Sequence, residues 1–102
     1  MTPPVHESWA IAVHEALAGM TGVLVGQLVP RAETYELVIT TRESPPPGEL
    51  VEALRTRLAG VVRRDDSPTA SWHYYPATDA GTRELFARLD WANAIVLHEL
   101  GD

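Results

Sequence analysis

The sequence predicts a small α+β domain of ferredoxin-like, split-βαβ character, in which helices cover one face of a short sheet. Residues 22–41 contain two runs rich in β-branched residues that are separated by a short polar break, which is the pattern of a β-hairpin. Residues 5–20 and 49–63 instead repeat apolar residues at helical spacing. A third strand pattern and a third helix pattern follow, so the predicted order is α-β-β-α-β-α, with a last β as an open alternative.

The two runs of the hairpin carry different burial patterns. The first run is apolar at nearly every position, which is typical of a strand that is covered on both faces. The second run alternates, with Tyr35, Leu37 and Ile39 on one face and the residues between them on the other. We therefore expect the hairpin to form the centre of the fold.

Each of the first two helices has an apolar stripe that is expected to pack on the hairpin. Gly19 and Gly22 end the first helix, and the proline-rich segment 44–48 precedes the second. The predicted buried residues are Trp9, Val13, Ala16, Leu17 and Met20 in the first helix, and Leu50, Leu54, Leu58 and Val61 in the second.

Residues 69–76 are predicted to form the third strand. The alternation places Trp72 and Tyr74 on one face, and His73 and Tyr75 on the other. If the helices cover the face of Trp72 and Tyr74, the His73/Tyr75 face stays open to a ligand.

The segment after this strand allows two interpretations. A third helix begins at a cap formed by Thr78 or Asp79. If Asn93 ends that helix in a left-handed conformation, residues 94–100 form a strand, and the sheet becomes a permuted ferredoxin-like sheet whose last strand takes a central position.

In the second interpretation the helix continues to the end of the chain. Trp91 and Ile95 then join Ala87 in an apolar stripe opposite the buried one. An exposed stripe of this kind would mark a surface for a partner protein. The sequence leaves both interpretations open.

Composition limits the classes of function. The 102 residues suit a single domain, residues 1–102, with 1–4 as a loose tail. A formal charge of −6 argues against binding to nucleic acid or to anionic membranes. The chain has no cysteine, so no thiolate site or disulfide is expected. It also shows no signal-peptide pattern, so a cytoplasmic location is expected. All eight basic residues are arginine, which is typical of a GC-rich bacterial genome and excludes lysine chemistry.

Residues 12–76 resemble the small C-terminal domain of phenylacetate–CoA ligase-like adenylate-forming enzymes. The matching segments are Val13-His-Glu-Ala-Leu-Ala-Gly-Met-Thr-Gly-Val23, Gly26-Gln-Leu-Val, Tyr35-Glu-Leu-Val-Ile, Leu54-Arg-Thr-Arg-Leu58 and a strand that ends at Tyr75-Pro76. In that family the domain normally delivers a lysine to the adenylation site, and this chain has none. The resemblance therefore implies a freestanding relative that binds or regulates rather than adenylates.

Histidine supplies the only candidates for acid–base chemistry near neutral pH. His6 and His14 lie eight residues apart on the first helix, too far to share a metal ion, so no metal site and no cofactor are predicted. His73 with Tyr75 could bind a ligand or transfer a proton. The alternative is that these residues only pack as part of a half-exposed strand.

The sequence thus favours a non-enzymatic accessory or regulatory module that binds another protein or its own copy through Trp91, Ile95 and Ala87. Two alternatives remain. One is a freestanding C-terminal-type subdomain of a carboxylate-activating enzyme. The other is a small-ligand enzyme that uses the His73/Tyr75 face.

Overall fold

The computed structural model describes residues 5–69 and 71–99, so the predicted tail 1–4 and Leu100 lie outside the described residues. Its elements follow the predicted order, and the last segment is a strand. They are the helices α1 (Glu7–Leu17), α2 (Gly48–Val62) and α3 (Ala80–Ala87), the strands β1 (Val23–Arg31), β2 (Thr34–Thr41), β3 (Trp72–Tyr75) and β4 (Ile95–Glu99), and a 3₁₀ turn (Trp91–Asn93) before β4. The α+β class is confirmed.

The four strands form one mixed sheet in the order β3-β2-β1-β4. β1 is antiparallel to both β2 and β4, whereas β2 and β3 are parallel. The expectation that the last strand is central was wrong, because β4 lies at the edge beside β1. Nor is the βαβ unit split: β2 and β3 pair directly from Leu37↔Trp72 to Thr40↔Tyr75, which leaves no room for a strand between them.

The larger core lies between the sheet and helices α1 and α2. The predicted stripes supply it, since Trp9, Val13 and Leu17 from α1 and Leu54 and Leu58 from α2 are fully buried. They pack against the alternating face of the hairpin that contains Leu28, Leu37 and Ile39. The indole Nε1 of Trp9 donates to the carbonyl of Val61 at 3.0 Å, which pairs the one polar atom of that side chain and joins the two helices.

The third helix packs on the opposite face of the sheet. Phe86 from α3 and the following Leu89 are buried against Val29 of β1 and Val38 of β2. Val38 alternates with Leu37 and Ile39, so this second core lies across the sheet from the first. The expectation of helices on one face therefore holds for α1 and α2 and was wrong for α3. The physical reason is that β1 is apolar at nearly every position, so that other elements pack on both of its faces.

Helix α3 begins where the sequence predicts. The carboxylate of Asp79 accepts from the backbone N–H of Thr82 at 2.8 Å and from its hydroxyl. These hydrogen bonds to the charged form lower the pKa of Asp79 below its usual range. The cap fixes the start of the helix and thus the direction in which Phe86 points. In the described part of the chain, no helix has the length and apolar composition needed to cross a membrane.

Gly26 is a position where the sheet and α1 approach too closely for a side chain. A Cβ there would lie 2.5 Å from Cδ1 of Leu17, which is fully buried, so accommodating it requires a shift within the core. We predict that Gly26→Ala lowers the free energy of unfolding by about 1–3 kcal/mol. At Gly60 in α2 an added Cβ meets nothing within 4 Å. Gly60→Ala should therefore raise the free energy of unfolding by about 0.5–1 kcal/mol. Urea unfolding of both variants checks this, and a neutral Gly26→Ala would contradict the close contact.

Candidate functional site: an aromatic cleft beside the third helix

Three aromatic rings stand together where α3 leaves the sheet uncovered. They are Tyr75 from β3, Phe86 from α3 and Trp91 from the 3₁₀ turn. With Gln27, Thr40, Arg83 and Ala87 they line a half-open cleft of about 490 Å³, here called the aromatic cleft. This volume lies within the range of ligand-binding clefts, which are typically lined by apolar groups with a few polar ones.

The rings are held in place by one another and by the backbone. Phe86 lies 5.5 Å from Tyr75 and 5.7 Å from Trp91, and Tyr75 lies 5.7 Å from Trp91, measured between ring centroids. The two contacts of Trp91 are edge-to-face, which is a favourable geometry for aromatic pairs. The indole Nε1 of Trp91 also donates to the carbonyl of Phe86 at 2.7 Å. Phe86 is 7% exposed, whereas Tyr75 is 44% and Trp91 36% exposed.

The chain reversal after α3 brings Trp91 back over the helix. The backbone N–H of Asp90 donates to the carbonyl of Pro30 at 3.2 Å, which ties this segment to the end of β1. The side chain of Asp90 accepts from Nδ2 of Asn93 at 2.7 Å and closes the turn. Trp91 is thus placed by its own turn, and not by a continuation of α3.

The polar groups of the aromatic cleft are neutral except for one. Gln27 and Thr40 are contributed by the sheet, and Thr40 lies opposite Tyr75 in the β2–β3 ladder. Arg83 stands on α3, where its Nε donates to the carbonyl of Ala77 at 3.2 Å. No acidic residue lines the cleft among the residues that the structure describes.

The expected open His73/Tyr75 face is only partly open, because His73 is half-buried whereas Tyr75 is exposed. Nε2 of His73 lies 2.9 Å from Oε2 of Glu36, whose Oε1 accepts from Arg31 at 3.1 Å. Its ring also packs edge-to-face on Phe86, with the centroids 6.2 Å apart. The cause is α3, which covers this face of the sheet. Glu36 is only 7% exposed, so the two partners compensate a carboxylate that would otherwise be costly to bury.

A pair of histidines joins α1 to the edge strand β4. Nδ1 of His14 and Nδ1 of His98 lie 3.2 Å apart, so one ring donates its N–H to the lone pair of the other. His98 is 8% exposed, and its Nε2 has no hydrogen-bond partner in the described part of the chain. Residues 5–69 and 71–99 also contain no cluster of three possible metal ligands.

The structure brings together some of the residues that the sequence singled out. Tyr75, Trp91 and Ala87 all line the aromatic cleft. His73 adjoins a separate hollow of about 230 Å³. Ile95 is 40% exposed and pairs with Leu28, which places it on the face of α1 and α2, away from the cleft.

Sequence reasoning missed two residues that define the aromatic cleft. Phe86 was not singled out as a site residue; it is buried in the second core, and its ring also forms part of the cleft wall. Arg83 carried no signal, because an arginine on a short helix is ordinary. The charge of Arg83 becomes relevant only because Trp91 lies over the same helix and lines the same cleft.

The chain matches no protein-family model, no curated protein and no solved structure with which it was compared. The resemblance to the C-terminal domain of adenylate-forming enzymes therefore stays a prediction, as do the two enzymatic alternatives drawn from it and from His73.

The His14–His98 pair predicts how stability depends on pH. Burial, together with the nearby His14, lowers the pKa of His98 below its ordinary value of about 6.5. Between the lowered pKa of the folded state and the ordinary pKa, His98 is protonated in the unfolded chain and neutral in the folded chain. The free energy of unfolding should fall as the pH is lowered from about 6.5 through the folded pKa of His98. For one group, the slope is at most about 1.4 kcal/mol per pH unit.

The measurement is urea unfolding at several pH values between about 5 and 7.5. His98→Leu removes the titrating group and should flatten the curve in this range. His6→Gln, at an exposed position before α1, is the matched control and should leave the slope unchanged. An undiminished slope in His98→Leu would assign the pH dependence to other groups.

Proposed function

We propose that the protein is a non-enzymatic binding module, accessory or regulatory in role, that holds a segment of a partner protein in the aromatic cleft. The observation that supports this proposal is a pair of large aromatic side chains, Tyr75 and Trp91, that are exposed and yet fixed. Tryptophan, tyrosine and arginine are the residues most often found at energetic hot spots of interfaces. All three line this cleft.

The fixed geometry favours binding in a second way. A side chain that is already held loses little conformational freedom when a partner arrives, so more of the contact energy contributes to affinity. The hydrogen bond from Trp91 to the carbonyl of Phe86 provides this preorganisation. Among the imidazoles, His73 is engaged by Glu36 and His98 is buried, which leaves the cleft with groups suited to contact more than to proton transfer.

The test is a selection of short random peptides displayed on phage against the purified chain. We predict that enriched peptides carry a large apolar or aromatic side chain, and that Trp91→Ala weakens their binding by about 1–3 kcal/mol, or about 5- to 150-fold. Because Trp91 is 36% exposed, the variant should keep the fold, which circular dichroism and urea unfolding would check.

Ile11→Ala is the matched control, since Ile11 is an exposed apolar residue, 49% accessible, on α1 and away from the cleft. It should bind the same peptides as the unchanged protein. Enriched peptides that bind Trp91→Ala equally well, or no enrichment at all, would refute the cleft as a binding surface.

Association with its own copy is a second candidate, favoured by the edge strand β4. Ile95 and Val96 are 40% and 52% exposed, and no proline or lysine protects this edge. Two copies could pair their β4 strands antiparallel across a two-fold axis. With Val96 opposite Val96 of the second copy, Ile95 would face Leu97, so apolar residues would meet on both faces.

This mode predicts that the mass of the chain rises from 11.2 kDa towards twice that value with increasing concentration, up to about 1 mM. Val96→Glu should keep it monomeric, since like charges would face each other across the axis. Ile11→Glu adds the same charge elsewhere and should still associate. Sedimentation velocity measures all three proteins, and a monomeric unchanged protein over the whole range would remove this mode.

A further inference from the structure

Arg83 is one of four arginines without a carboxylate partner in the described residues, and of these four it is the one that lines the aromatic cleft. Within residues 5–69 and 71–99, Arg31, Arg55, Arg64 and Arg88 each pair with an Asp or Glu side chain, and Arg83 does not. Asp79, the acid at the start of its helix, is attracted by the charge of Arg83 but forms its hydrogen bonds with the N–H and hydroxyl of Thr82. The guanidinium of Arg83 therefore retains donors that a bound group could use.

One of its nitrogens is held by the protein, and this orients the rest. The hydrogen bond from Nε of Arg83 to the carbonyl of Ala77 links α3 to the loop before it. The guanidinium is planar and its five N–H groups have a fixed arrangement, so holding Nε restricts where the two terminal nitrogens can point. Arg83 lines the aromatic cleft. A cation is thus presented beside the rings of Tyr75 and Trp91.

The charge of this cleft is opposite to that of the chain as a whole. The formal net charge is −6, with 14 acidic and 8 basic residues. The described lining contains Arg83 and no acid, and its other polar side chains, Gln27 and Thr40, are neutral. The negative net charge of the chain would repel an acidic partner, whereas the arginine of this cleft would attract it.

We propose that the partner segment is acidic: a large aromatic or aliphatic side chain enters the aromatic cleft, and an Asp or Glu within two positions of it pairs with Arg83. This inference rests on the proposed function and adds the chemistry of the partner to it. The apolar walls select the first group, and the oriented guanidinium selects the second. Guanidinium–carboxylate pairs can form two parallel hydrogen bonds, which adds specificity to the contact.

The test starts from the peptides selected on the unchanged protein. Enriched sequences should show Asp or Glu near the apolar anchor more often than the starting library does. For one such peptide, Arg83→Gln should weaken binding by about 5- to 30-fold, while Arg83→Lys, which keeps the charge, should lose less. Arg55→Gln is the control with the same change in net charge, at an exposed site on α2, and should change affinity less than twofold.

A double-mutant cycle identifies the pair itself. Replacing the peptide's Glu or Asp with Gln or Asn should weaken binding to the unchanged protein but not to Arg83→Gln. Equal urea midpoints for the arginine variants would show that lost binding is not lost folding. A last comparison uses one peptide with a free C-terminal carboxylate and the same peptide with a C-terminal amide. It shows whether Arg83 binds the chain terminus or an acidic side chain. If binding requires the free terminus, the proposal is overturned.

The outcomes for this inference and for the proposed function are distinct. Peptides that depend on Trp91 but show no acidic preference, or that bind Arg83→Gln as well as Arg55→Gln, would overturn the acidic partner and leave the binding module standing. If no peptide depends on Trp91, both proposals fail.

Discussion

The fold depends on the burial of β1 and β2 on both of their faces. Leu28, Leu37 and Ile39 point towards α1 and α2, and Val29 and Val38 point the other way; all five are fully buried. Burying such side chains contributes roughly 1.5–3 kcal/mol each. Val29 and Val38 are removed from water because α3 crosses to the second face of the sheet and covers them.

The aromatic cleft exists because helix α3 covers only part of the second face of the sheet. Helix α3 has only eight residues, which span about 12 Å at 1.5 Å per residue. It shields Val29 and Val38 and stops short of Gln27 and Thr40. Phe86 consequently has two roles: one part of its ring completes the second core, and another part supports Tyr75 and Trp91. A change at Phe86 would alter stability and binding together, which is why Trp91 is the cleaner probe.

The sequence contained enough information for the parts of the fold that depend on local periodicity. The alternation of Tyr35, Leu37 and Ile39 identified the face that packs on the first two helices, and the helical spacing of Trp9 and Val13 identified what packs there. The side on which α3 lies was predicted wrongly, although the first run, which is apolar at nearly every position, is typical of a strand that is covered on both faces.

The candidate site could be predicted only in fragments, because it joins residues that periodicity does not connect. Tyr75 and Trp91 were singled out separately, one from a strand and one from a supposed helix. Their contact depends on the hydrogen bond from Asp90 to Pro30, a tertiary contact between residues 60 positions apart. His73 was expected to be open because Trp72 and Tyr74 were taken as the only covered face. Once α3 lies on the other face, the same alternation places His73 beneath it.

Glu36 explains why a single arginine can set the charge of the cleft. It is the acidic residue of β2, and it lies on the same face as Thr40, about 13 Å away along the strand. A free carboxylate at this position would add a negative charge to the face of the sheet on which the cleft opens. Instead Arg31 and His73 each hold one of its oxygens, and burial keeps it from solvent and from ligands. The contacts of Glu36 with Arg31 and His73 therefore also offset a negative charge on the face of the sheet on which the aromatic cleft opens.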